Sequence, residues 1–325
     1  MQGMEEKLSE AAAIALTECL NLGRKEQLLV VCDPPCAEVG EIMWKAGVSR
    51  CREAVMVVIN PRRENGNEPP GPVGKWFGQF DVAVMPTSKS LSHTRARRRA
   101  SERGVRIATL PGISPEMFVR TMKTDWHKLG IATRKLAAHL SSASRVRVTS
   151  PGGTDIAFET GGRHAKADDG RLNFRGAFGN LPAGEAYLAP LEGTAEGTLV
   201  FDGSFPLAGI LDEPLVLHVR EGRVVETEGH DCARKLEELF LKYRGPSRTI
   251  AEFGVGTLDS ARITGNVLED EKVKGTVHFA LGDNASMGGK VNVPLHLDGV
   301  VRAPSVWLDN KLWLDHGTPV RGNPS

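Results

Sequence analysis

The chain lacks any apolar run approaching the roughly 20 residues that a bilayer-spanning helix needs. Its opening residues, MQGMEEKLSEAAAIALTECL, carry Glu5 and Glu6 where a secretory leader carries basic residues ahead of an apolar stretch. These absences lead to the expectation of a cytoplasmic protein without membrane association. Net charge is almost absent too: 41 basic residues offset 40 acidic ones, leaving +1, so no global field favours nucleic acid or a lipid surface. Five cysteines (Cys19, Cys32, Cys36, Cys51, Cys232) are an odd number without a C-x-x-C pair, and are read as reduced thiols, mostly buried. No G-x-G-x-x-G follows the first apolar strand and there is no Walker A sequence, so nucleotide binding has no support.

What is present is ordinary globular composition, 40% hydrophobic and 25% charged over 325 residues, enough for two domains with full cores. In the first half, apolar runs alternate with helical patterns. Residues 4–22 have helical spacing, QLLVVCD reads as a buried strand, and a helix is expected at about 37–46. AVMVVIN, DVAVMPT and VRIATLP read as three further buried strands, with a helix from about Ser92 to Arg103 ahead of the last and one long helix over 114–142 after it. That order predicts a parallel sheet with flanking helices, whose ligands gather at the strand carboxyl ends. The loop PTSKSLSHTRARRRA falls at such an end, with Lys89, Ser90, Ser92, His93, Thr94 and Arg95. It suits an anion at a helix N-terminus or, equally, a capped and solvated surface helix.

After residue 145 the pattern changes to short alternating strands with glycine-rich turns, interrupted by one helix at about 231–243. The expected architecture is an α/β domain over 1–143, a parallel sheet with flanking helices, followed by a β-rich α+β domain over 144–325 that carries the site. Between the hairpins, GAFGNLPAGEAYLAPLEGTAEG reads as a loop presenting Glu185.

Within the second half, three segments place metal-capable side chains in apolar surroundings. His296 and Asp298, one residue apart, share a face if PLHLDG is a strand. His278 in GTVHFALG shares a face with Thr276 and Ala280, and Glu252 in TIAEFGVG shares one with Ile250. Two carboxylates and two imidazoles on buried faces need a cation or strong ion pairs. The residues alone leave both readings open, ligands or satisfied structural side chains. His164, His230 and His316 have no sequence partners and are read as surface or core residues.

The motifs NLPAGEAYLAP, AEFGVGT, LEDEKVKGTVHFALG and PLHLDG, in this order and spacing, resemble the M29 metallo-aminopeptidases, the aminopeptidase T group. SKSLSHTRARRRAS, GTDIAF and GNLPAGE resemble its shorter branch, and the likeness runs over about residues 80–316. The resemblance implies that Glu185, Glu252, His278, His296 and Asp298 ligate two divalent ions (Zn, Co or Mn) with Glu252 bridging. It also implies a homodimer and hydrolysis of the N-terminal residue of a peptide by a metal-bound hydroxide. The family's tyrosine just after the GTVH-type histidine is missing: Gly282-Asp283-Asn284-Ala285-Ser286 stands there. Tyr187 or His93 would then take the catalytic oxyanion role beside Glu252. The chain is also similar to the 2,5-dihydroxypyridine ring-cleaving dioxygenases of the same fold, for which His278, His296 and Asp298 would form a triad holding one Fe(II) for a small-molecule substrate. A metal-binding scaffold without activity is the third reading.

Overall fold

A computed structural model describes residues 2–320. The chain divides into two compact units, one of residues 1–127 with 170–183 and one of 128–169 with 184–325. The helix Trp126–Ser142 therefore belongs almost wholly to the second unit, and the expected break at 143/144 is displaced towards its start. Among the described residues no helix is long and apolar enough to cross a membrane.

Strands are numbered along the chain. In the first unit β1 (Gln27–Cys32), β2 (Glu53–Val58), β3 (Val82–Met85), β4 (Arg106–Thr109) and β8 (Phe178–Asn180) form a wholly parallel sheet in the order β2-β1-β3-β4-β8. Its central strands β1 and β3 are apolar and buried on both faces, as a parallel sheet with flanking helices requires. β2 was expected to be buried but is the edge strand and is partly exposed. Thr94 caps the helix Arg95–Glu102 through a bond from the Arg97 amide of 3.2 Å. The single helix expected over 114–142 is two, Pro115–Met122, capped by Ser114, and Trp126–Ser142.

The second unit is a pair of antiparallel sheets. One runs β14-β13-β10-β6-β5-β18-β19-β20, built from β5 (Arg145–Thr149), β6 (Asp155–Glu159), β10 (Glu196–Phe201), β13 (Leu215–Arg220), β14 (Arg223–Glu228), β18 (Ser305–Leu308), β19 (Lys311–Asp315) and β20 (Thr318–Pro319). A short hairpin pairs β11 (Ser204–Phe205) with β12 (Gly209–Ile210). The other sheet runs β17-β16-β15-β9-β7, from β7 (Lys166–Asp168), β9 (Glu185–Leu188), β15 (Ile250–Gly256), β16 (Val277–Gly282) and β17 (His296–Val301). Phe253 and Phe279, neighbours on this second sheet with ring centroids 5.1 Å apart, meet Phe158 of β6 at 5.3 and 6.1 Å. That apolar face closes the core and leaves the alternate residues of the same strands on the opposite face.

Phe279→Ala should lower stability by about 3–5 kcal/mol, because the fully buried ring is the centre of this inter-sheet contact. Urea unfolding of the two proteins measures the difference.

Candidate metal centre

Cross-strand register assembles the site. His296 lies opposite Gly282, Asp298 opposite Ala280, and Ala280 in turn opposite Glu252. His278 faces Gly254, Gly254 faces Tyr187, and Glu185 is paired with Gly256 on one side and Asp168 on the other. Since paired residues project to the same side, one face of the five-stranded sheet carries His296, Asp298, Glu252, His278, Tyr187, Glu185 and Asp168. Two small residues, Ala280 and Gly254, lie among them. A Cβ at Gly254 would sit 2.1 Å from His278 Nε2, so the missing side chain is the space the imidazole occupies.

Two expectations are corrected here. Glu185 is not on a loop but begins β9; the glycines and proline around it delimit short strands rather than abolish them. Ile250 does not share Glu252's face: a bulge between them lets Ile250 pair with Leu281 in the core while Glu252 turns to the polar side.

The ligand-capable atoms fall into two sets that share Glu252: Glu185, Glu252 and His278 in one, Glu252, His296 and Asp298 in the other, with atoms of each set within 4.8 Å of one another. His278 thus groups with the two glutamates, and not with His296 and Asp298 as a single triad would require. In the first set His278 Nε2 is 3.1 Å from Glu185 Oε2 and 3.6 Å from Glu252 Oε1. Both His278 ring nitrogens and Glu185 Oε2 are buried without a hydrogen bond of proper geometry. In the second, His296 Nε2 is 3.1 Å from Glu252 Oε2 and 3.4 Å from Asp298 Oδ1. The other nitrogen of His296, Nδ1, sits 2.8 Å from the Asp283 carbonyl oxygen, the contact that orients a ligating imidazole. The donors fit a divalent cation: carboxylate oxygens and imidazole nitrogens converge within 4.8 Å in each set. The His296 side chain is 35% exposed, so this second set has an open side.

A residue missed in the sequence completes the cluster. Lys272, in the excursion between β15 and β16, is fully buried, with Nζ 2.6 Å from Glu185 Oε1, 2.5 Å from Glu271 Oε1 and 3.6 Å from Asp168 Oδ2. The only signal was its place in LEDEKVKG, next to residues already singled out. His93, by contrast, lies in the first unit, in the loop before the helix Arg95–Glu102, where its carbonyl accepts from Arg98 Nη1 at 2.7 Å.

Charge follows from these contacts. Burial pushes the Glu252 carboxyl up, but the neighbouring His278 and His296 imidazoles prevail and bring it down to about 2. Burial disfavours charge on His278 and His296, yet the carboxylates beside them hold both imidazoles well above their ordinary range. Burial raises the Tyr187 phenol, reinforced by Glu252 and Glu185, so its proton is retained at neutral pH.

With fold and site in view, the chain is a two-unit α/β and β-sandwich protein with a carboxylate–imidazole cluster on a sheet face that could hold a metal ion. The model of the NicX: 2,5-dihydroxypyridine 5,6-dioxygenase family matches residues 72–321, and the chain belongs to that family. The 2,5-dihydroxypyridine 5,6-dioxygenase of Pseudomonas putida KT2440 is 28% identical over 236 residues, 68% of this chain and 66% of the relative's length, just under two thirds. The solved structure of 2,5-dihydroxypyridine dioxygenase from the same organism superposes with a TM-score of 0.84 at 21% identity, covering 99% of both chains. AmpT from Thermus thermophilus superposes with a TM-score of 0.71 at 15% identity, covering 97% of this chain and 99% of that one, a likeness of fold alone.

These findings correct the functional expectation. The M29 likeness holds for the fold, but the family match is to a dioxygenase, so the aminopeptidase, protease and hydrolase assignment falls. The oxyanion role given to Tyr187 or His93 falls with it.

Metal binding should strengthen as pH rises. The imidazoles hold protons in the metal-free protein, and an ion at Nε2 must displace one. Calorimetry with Mn2+ in buffers of different ionisation enthalpy should count at least one proton released per ion at pH 7; no release would contradict the charge state described.

Proposed function

We propose that the chain is an extradiol-type ring-opening dioxygenase for a dihydroxylated pyridine, holding one ferrous ion at Glu252, His296 and Asp298. The observation that carries this reading is the second donor set: three converging ligand atoms, one imidazole oriented by a backbone carbonyl, and one open side. Family membership supplies the reaction class and the relative's name the substrate class. Bound there, the ferrous ion supplies coordination positions and one-electron chemistry for dioxygen, which organic side chains do not offer.

The chain's own residues do the rest. Ala280, between Glu252 and Asp298 in the cross-strand row, leaves room above the sheet where a larger residue would crowd the donors. Tyr187 keeps its phenolic proton and serves as a neutral hydrogen-bond donor on the same face. His278 Nε2, 3.1 Å from Glu185 Oε2, holds a proton inside the cluster and keeps the neighbouring carboxylates from repelling one another. Adding both atoms of dioxygen across the ring's 5,6 bond needs no external reductant, so no further cofactor is called for.

Loaded with Fe(II) under anaerobic conditions and then exposed to air, the protein should bleach 2,5-dihydroxypyridine while consuming one dioxygen per ring. Iron-loaded protein that leaves both untouched would overturn the proposal. His296→Ala and Asp298→Ala should each lower bound iron at least tenfold and abolish turnover, whereas full iron content in either variant would place the ion elsewhere.

A further inference from the structure

The five-residue group of Asp168, Glu185, Glu271, Lys272 and His278 remains unaccounted for by a single ion at the second donor set. We propose that Lys272 is a built-in cation standing in for a second metal ion, and that its ammonium is what restricts this chain to one ion. The proposal rests on the one-ion reading above and adds to it the residue responsible for the stoichiometry.

Geometry supports it at three points. Lys272 Nζ lies within 3.6 Å of three carboxylates, donating to Glu185 Oε1 at 2.6 Å and to Glu271 Oε1 at 2.5 Å and pairing with Asp168 at 3.6 Å, so Glu185 Oε1 is already taken. A divalent ion in the first donor set would share Glu185 with a fixed positive charge in a fully buried setting, where like charges repel far more strongly than in water. The first set also lacks the contact that orients a ligating imidazole: His278 Nδ1 has no hydrogen-bond partner, whereas His296 Nδ1 has the Asp283 carbonyl.

The lysine is held in place by its backbone. The Leu258 amide donates to the Lys272 carbonyl at 2.9 Å, and the Lys272 amide donates to the Glu269 carbonyl at 2.9 Å. Two residues earlier, the buried Asp270 accepts from the Thr264 amide at 2.7 Å and the Gly265 amide at 2.9 Å, closing the turn that carries the lysine. The ammonium is therefore pre-positioned and needs no metal to order it.

The test is Mn2+ titration of metal-free protein, with bound ion counted by elemental analysis after dialysis and its spectrum read by electron paramagnetic resonance. Wild type should bind one Mn2+ per chain with the six-line signal of an isolated ion. Lys272→Met should bind two, with the broadened signal of an exchange-coupled pair, and its thermal midpoint should rise with added Mn2+ more than that of wild type. Lys272→Arg should remain at one. Should Lys272→Met not fold without metal, the double variant Glu271→Gln/Lys272→Met, which removes one of the carboxylates left facing each other, is titrated in its place. Two ions in wild type, or one ion in a folded variant lacking the lysine, would overturn the role of Lys272 while leaving the metal centre standing. No bound Mn2+ in wild type would remove the metal reading itself and this inference with it.

Discussion

The structure of the second unit turns on the cost of taking carboxylates out of water. Glu185, Glu252 and His278 are buried on one sheet face, with Asp298 and Asp168 close by. Uncompensated, such a concentration of acid groups would drive them to protonate or the sheet to open. Cationic groups relieve it: Lys272 at one end and the imidazoles in the middle, while the donor set at the end where His296 reaches solvent is the one proposed for a metal ion. The opposite face packs Phe253 and Phe279 against Phe158 of the other sheet, so that a polar and an apolar surface are carried by alternate residues of the same strands.

Strand alternation explains why part of this was legible. His296 and Asp298 are two apart and project together, and Val277, Phe279 and Leu281 alternate with His278 and Ala280 as the spacing predicted. The parallel sheet of the first unit was equally visible in its apolar runs. What failed was anything that depended on a local break in periodicity or on distant partners. The bulge ahead of Glu252 inverts the facing of Ile250 without any glycine or proline to announce it. Lys272 is one residue from Glu271 but 87 from Glu185, and only the paired strands bring the two together.

The chemistry was less legible than the site. Carboxylates and imidazoles at this spacing serve a hydrolytic pair of ions and a single redox ion equally well, and four motifs shared by fold relatives do not distinguish the two. The motifs carry the ligands the two enzyme classes share and not the side chains packed beside them. A buried ammonium against Glu185 changes the charge available to hold metal, and that is a property of packing rather than of a motif.

The fifth strand of the parallel sheet, β8, comes from residues 178–180, after the chain has already passed through three strands of the other unit. Neither unit is a continuous stretch of polypeptide. During synthesis the first sheet must wait, incomplete along β4, until that return segment leaves the ribosome, and by then the first strands of the second unit have already been made. A gene fragment ending at residue 143 would encode four of the five strands and leave the β4 edge bare, which makes the two units a single inheritance rather than two modules that could be exchanged.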